Sequence, residues 1–351
     1  MLARLGTRQQ WVLLLIASIA VTASLRAIDL PGALLLGPMA TAIAFAIGGV
    51  RIAVPRRAYA VAQGIVGAMM AGAVTPEIVQ TFLHNWGLFF SVVFATLAAS
   101  GIVGWAMSHW HVLPGTAAIW GSSPGAASAM VVMAEQFGAD VRIVAFMQYL
   151  RVLCVALSAA MIAHFAGASG THVATDWFAT PDPLRLGATL LLIGGGMFAG
   201  KLLRVPSGAL LVPLIVGAVL RGFGVIDLLL PPPLLLVAFA TIGWVVGLRF
   251  TTEILRIVAA KLPHMLASIL LLMGFCAVIA WGLTHLLDID MLTAYLATSP
   301  GGADSIAIIA ASTNVDLGFV LSFQTVRLII VIVVGPMIAR RVARAMGHTP
   351  T

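Results

Sequence analysis

Ser123-Pro124-Gly125-Ala126-Ala127 and Ser299-Pro300-Gly301-Gly302-Ala303 stand 176 residues apart in a chain of 351. At the same offset, and without a gap, Ala134 meets Ala310, Asp140 meets Asp316, Val144 meets Val320, Gln148 meets Gln324 and Arg151 meets Arg327. That makes nine identities in the 29 positions from Ser123 to Arg151. The offset also holds upstream, pairing Gly67 with Gly243, Thr75 with Thr251 and Glu77 with Glu253. Chance likeness between apolar segments pairs Leu with Val; it does not align Pro, Gly, Asp, Gln and Arg in register. The chain therefore reads as a duplicated unit, with a first repeat over 1–165, a linker at 166–183 and a second repeat over 184–351. Backbone breakers and an arginine inside apolar repeats point to a transporter.

With 61% hydrophobic and 9% charged residues, against roughly 25% charged in soluble domains, the composition excludes a soluble protein. Mean hydropathy is +1.09. Apolar stretches fall at roughly 11–25, 31–50, 58–74, 86–108, 141–165, 184–200, 207–220, 233–248, 262–284 and 317–339. Two more, 113–134 and 291–312, are interrupted by the Ser-Pro-Gly motifs. The excess of basic residues, +7 in net charge, sits in short loops as orientation signals do. No basic face interleaved with aromatic residues is present to hold a phosphate backbone, so nucleic acid is not expected as a partner. Cys154 and Cys276 fall within apolar spans and read as small buried hydrophobes. Arg4 and Arg8 before Trp11–Leu25 resemble a signal peptide. At the repeat offset, however, this stretch lies over the internal span Gly187–Lys201, so the first helix is expected to be retained.

Whether each interrupted segment crosses the bilayer decides the architecture. If it enters and leaves by one face, each half has five crossings and the repeats are inverted. The inside then holds Arg4, Arg8, Arg51, Arg56, Arg57, Arg142, Lys201, Arg204, Arg249, Arg256, Lys261, Arg340, Arg341 and Arg344, and the outside only Arg26, Arg185 and Arg221. That is 14 against 3, with Arg151 and Arg327 in the membrane as the rest of the 19; six crossings per half would leave 10 against 7. The linker carries Asp176 and Asp182 but no Lys or Arg, as an external loop would. The expectation is an all-α polytopic membrane protein of two inverted repeats. Each would have five transmembrane helices plus one re-entrant broken-helix hairpin, with both termini cytoplasmic.

Irregular backbone at membrane depth is tolerated only where protein buries it or a wet cavity solvates it. Pro and Gly in Ser122-Ser123-Pro124-Gly125 and Thr298-Ser299-Pro300-Gly301-Gly302 break the helix and leave free amides beside hydroxyls, a site suited to an anion. A kink that merely bends the helix is the plainer alternative. Arg151 and Arg327 lie about ten residues into their spans, about 15 Å deep. An ionised arginine there is expensive unless paired or hydrated. Gln148 and Gln324 precede them by three, on the same helical face. These arginines either contact a carboxylate substrate, for which the guanidinium fork is well shaped, or support the carbonyls of the broken helix. Asp304 is the acid placed inside a membrane segment, and its repeat partner is Ser128. It would bind Na⁺, carry a proton, or pair with Arg327 or Arg151. Asp140 and Asp316 read as N-caps, and His109 and His111 around Trp110 as interfacial. Scattered histidines, and Ser123 without a histidine partner, give no metal cluster or nucleophile–base pair, so neither an enzyme nor a bound cofactor is expected.

At these Ser-Pro-Gly and Gln-x-x-Arg elements the chain resembles, over essentially its full length, the bacterial AbrB-type membrane protein family. The first motif departs from the family pattern, with Ala126 where the second has Gly302. Members carry the labels transcriptional regulator or ammonia monooxygenase; the first implies DNA contact and the second a metal site, and the residues support neither. The resemblance also implies kinship with cation/proton antiporter and anion transporter folds, and through them a homodimer in the bacterial inner membrane. The sequence reading is a secondary transporter of a small organic anion coupled to H⁺ or Na⁺. Its alternatives are a channel, or a membrane-embedded protein that affects gene expression without binding DNA.

Overall fold

A computed structural model describes residues 5–30, 32–74, 84–110, 117–123, 138–165, 182–205 and 207–345, with residues 80, 112–113, 130 and 134–135. In the first half the helices are α1 (Thr7–Ala27), α2 (Ala33–Ile47), α3 (Arg56–Ala73), α4 (Trp86–His109), α5 (Ala117–Ser122) and α6 (Val141–Phe165). In the second they are α7 (Pro183–Leu202), α8 (Gly208–Gly222), α9 (Pro232–Gly247), α10 (Thr252–Val258), α11 (Leu262–Leu287), α12 (Met291–Thr298), α13 (Ala303–Ala311) and α14 (Leu317–Ala345). No strand occurs among the described residues. Moved by 176, the starts of α1, α2, α3, α4, α5 and α6 fall within two residues of the starts of α7, α8, α9, α11, α12 and α14.

Among the described residues, five segments are long and apolar enough to cross a bilayer: Thr7–Ala27, Trp86–His109, Val141–His164, Pro183–Leu202 and Thr252–Leu287. α2, α8 and α9 have 15, 15 and 16 residues. At 1.5 Å per residue they are shorter than the roughly 30 Å hydrocarbon core. Position in the bundle follows burial. In α6, 72% of the apolar window is buried, against 17% in α1, so α6 runs through the middle while α1 lies at the rim. α4 carries exposed Trp86 at one end and, just past the other, exposed Trp110. His109 stacks on Trp105 at 5.1 Å; His111 lies outside the described residues.

Side-chain caps set several helix starts. Asp140 accepts from the Arg142 amide at 2.9 Å and Asp316 from that of Phe319 at 2.9 Å, as their place before α6 and α14 predicts. Asp182 does the same for α7, accepting from Leu184 at 3.0 Å. The halves pack through exchanged partners, α2 against α9 and α3 against α8. The repeat-paired glycines explain the closeness. A Cβ on Gly243 would lie 2.8 Å from the Leu35 carbonyl oxygen of α2, and one on Gly67 would strike the Leu210 carbonyl of α8. Of the run Gly194-Gly195-Gly196, only Gly196 makes such an approach, with Pro213 of α8 2.7 Å from its would-be Cβ. Gly194 and Gly195 face open space. The run as a whole is therefore not a helix-packing surface, because its glycines lie on different faces of α7.

Candidate functional site

The second Ser-Pro-Gly motif is a true helix break. α12 stops at Thr298, Ser299 is extended at φ −57°, ψ 142°, and Gly302 is extended at φ −71°, ψ 138° before α13 starts. In the first half α5 stops at Ser122; Pro124 and Gly125, expected to form the first break, lie outside the described residues. Stopping a helix in a bundle strands its last carbonyls, which must find donors.

The Gln-x-x-Arg pairs are those donors. Gln148 Nε2 donates to the Trp120 carbonyl at 2.6 Å and to that of Ser123 at 3.1 Å. Arg151 Nη1 donates to the carbonyls of Ser122 at 3.1 Å and Ser123 at 2.8 Å, and its Nη2 to Gln148 Oε1 at 2.6 Å. The second half repeats the pattern. Gln324 Nε2 donates to the Leu296 carbonyl at 2.7 Å, Arg327 Nη2 to that of Gly301 at 2.8 Å, and Arg327 further to the Ser299 carbonyl and to Gln324 Oε1. All four side chains are buried. The three-residue spacing places amide and guanidinium on one face, so the glutamine carbonyl orients the arginine while its amide and the fork hold the break. What remains unbonded is Nε, in both Arg151 and Arg327.

The motif hydroxyls are also engaged in ties. Ser122 Oγ donates to the Ser100 carbonyl of α4 at 3.3 Å and to that of Ala118 at 2.8 Å; the Ser100 hydroxyl returns a 2.6 Å bond to the Ser122 carbonyl. Thr298 Oγ1, its repeat partner, donates to the Cys276 carbonyl of α11 at 3.2 Å. Ser123 and Ser299 donate to carbonyls one turn back, of Ile119 at 2.9 Å and Leu296 at 3.2 Å. These hydroxyls thus fasten each short half-helix to itself and its neighbour, with acceptor lone pairs left over.

The second break is seated on the helix that bears the first arginine. A Cβ on Gly301 would lie 3.0 Å from Val155, and one on Gly302 3.6 Å from Val152, both within four residues of Arg151 on α6. Tyr295 of α12 and Ser158 of α6 share a 2.7 Å hydroxyl contact. Phe89 of α4 stacks on Phe323 of α14 at 4.0 Å, next to Gln324.

Asp304 begins α13. Its carboxylate accepts from the Ser305 amide at 2.8 Å and the Ser305 hydroxyl at 3.4 Å. It therefore occupies one of the amides that a helix N-terminus offers an anion. The ion pairs found among the described residues are Arg142–Asp140, Arg185–Asp182 and Arg185–Asp227. Pairing of Asp304 with Arg151 or Arg327, one of the three expectations for it, is not among them: both forks are already spent on carbonyls.

Tyr59, Gln63, Tyr149 and Arg249 were missed in the sequence. Gln63 Nε2 donates to Tyr59 Oη at 3.1 Å, and the Arg249 guanidinium lies 5.7 Å above the Tyr149 ring. The repeat could not reveal them, because the other half carries Leu235, Phe239, Thr325 and Ala73 at these positions. The signal available was that asymmetry.

An all-helical chain with this many apolar spans and two carbonyl-tied helix ends belongs to the class of polytopic helical membrane proteins. The model of the family described as "Transition state regulatory protein AbrB" matches residues 34–343, and the chain belongs to that family. It is 44% identical over 336 residues to "Putative regulator AbrB" of Escherichia coli (strain K12), covering 94% of this chain and 96% of that one. It is 27% identical over 318 residues to "Uncharacterized protein YhjN" of Bacillus subtilis (strain 168), covering 84% and 80%. No solved structure matches it.

Proposed function

We propose that the protein is a secondary transporter of a small organic anion of carboxylate type, coupled to H⁺ or Na⁺, in the bacterial inner membrane. The observation that carries this reading is the meeting of two like sites. Each half directs a buried Gln-x-x-Arg pair onto the end of a short helix, and the second break lies against the first half's arginine helix. Two guanidinium charges and one acid are thereby held at the centre of the bundle. Charges at that depth are costly, and their presence there is best accounted for by a substrate or ion pathway.

On this reading the halves are inverted repeats of five crossings each, with 166–183 external and both termini cytoplasmic. The segments around the two breaks are re-entrant from opposite faces. Arg151, Arg327, their glutamines and the tips at Ser122, Ser123, Thr298, Ser299, Gly301 and Gly302 surround the substrate. The arginines present their charge and their free Nε donors rather than the whole fork. Asp304, absent from the other repeat, carries the coupling ion. The regulatory label of the Escherichia coli relative would then describe a consequence of moving a small molecule, not a contact with DNA.

Asp304→Asn keeps size and hydrogen bonding but removes the charge. In proteoliposomes it should abolish gradient-driven accumulation while leaving substrate exchange across the membrane in part. Unchanged gradient dependence in Asp304→Asn would remove Asp304 from the coupling step.

A further inference from the structure

From Ala303 to Ala310 every residue of α13 is buried except Asp304, which is partly exposed. An acid that alone escapes burial on a packed helix faces an opening. α13 packs against α2, α3 and α6, so these helices bound it. α3 supplies Tyr59, partly exposed, with Gln63 bonded to its hydroxyl, and α6 supplies Tyr149. Both phenols interact electrostatically with Asp304 and with Arg249. Arg249, just past the end of α9, is exposed, with its guanidinium over the Tyr149 ring. Arg249 is thus exposed, Tyr59 and Asp304 are partly exposed, and Tyr149 and Gln63 are buried beside them. The passage has no twin, since the other half carries Leu235, Phe239, Thr325, Ala73 and Ser128 at the five positions.

We propose that Tyr59, Gln63, Tyr149 and Arg249 line a one-sided, anion-selective vestibule that ends at Asp304. Arg249 sets the sign at the mouth, aided by exposed Arg56 and Arg57 in the first turn of α3 and opposed by exposed Glu253 in α10. A cleft lined by one sign of charge concentrates the opposite ion. The phenols offer donors to a carboxylate or sulfonate along the way. An anion drawn inward then meets a carboxylate, so its entry and the neutralisation of Asp304 by a proton or sodium ion favour each other. That last step rests on the coupling role given to Asp304 above; the vestibule does not.

Thiol labelling tests it without a substrate. In full-length protein with Cys154→Ser and Cys276→Ala, single cysteines are placed as Asp304→Cys or Tyr59→Cys, with Arg249→Cys marking the face. Sealed vesicles of either orientation are treated with a methanethiosulfonate reagent carrying a sulfonate or a trimethylammonium group. Both cysteines should react only from the side that labels Arg249→Cys. Adding Arg249→Gln should lower the ratio of anionic to cationic reaction rates at Tyr59→Cys by about tenfold. Reaction from the opposite side, inertness of both positions in folded protein, or a ratio unmoved by Arg249→Gln would each overturn the proposal. If this labelling holds but concentrative flux is absent, the transporter reading fails and the vestibule stands. If flux is normal and both thiols are inert, the reverse is true.

Discussion

Arg151 and Arg327 tie down, with their Nη atoms, carbonyls that the helix ends leave stranded, while Nε stays unbonded. Under the proposed function, the same charge and Nε would face the substrate. Arg327→Lys separates the geometry from the charge, because an ammonium cannot bridge Ser299, Gly301 and Gln324 at once. Losing one charge-assisted bond at a buried site costs about 2 kcal/mol. The variant should thus melt several degrees lower in detergent and bind substrate more weakly, while a melting point equal to wild type would show that the break does not depend on the fork. Gln148→Leu strands the Trp120 carbonyl and should cost about 1–3 kcal/mol by the same unfolding measurement. These roles were half legible in the sequence. The Gln-x-x-Arg spacing put both groups on one helix face, but the carbonyls that receive them lie 25 to 29 residues earlier, and only folding brings them together.

Among the elements, the repeat signalled helix positions more faithfully than hydropathy did. The starts of six helices recur at the 176-residue offset. Hydropathy alone could not tell a span from a half-helix such as α12, since both are equally apolar. The paired glycines Gly67 and Gly243 were legible as identities, and the structure supplies their cause in carbonyls pressed against them. Gly243→Ala should cost about 1–3 kcal/mol through overpacking against Leu35. Gly194→Ala, which meets nothing within 4 Å, should be neutral or slightly stabilising, as alanine favours the helix. Thermal unfolding of the two variants side by side checks this, and equal melting points would mean the α2–α9 contact is looser than described. The asymmetric cluster around Asp304 was the illegible part: a search for what repeats overlooks what does not, and nothing in Tyr59 or Arg249 alone distinguishes it from an interfacial residue.

For the whole molecule, loop charge and the repeat together predict opposite orientations of the halves, with 166–183 outside. A cysteine in that linker should react with an impermeant thiol reagent from the periplasm of intact cells, and labelling only from the cytoplasm would defeat the inverted arrangement. Under the proposed function, opposite orientation of the halves would give alternating access its symmetry, the two Gln-x-x-Arg sites its centre, and Asp304 its direction. The most direct test is flux through the purified wild-type protein in proteoliposomes. Under an imposed proton or sodium gradient, labelled small carboxylates are offered and the inside-to-outside ratio is followed. The account predicts that at least one carboxylate rises inside well above its outside concentration and falls back when an ionophore dissipates the gradient. Equilibration to equal concentrations regardless of the gradient would mark a channel, and no entry of any carboxylate would contradict transport altogether.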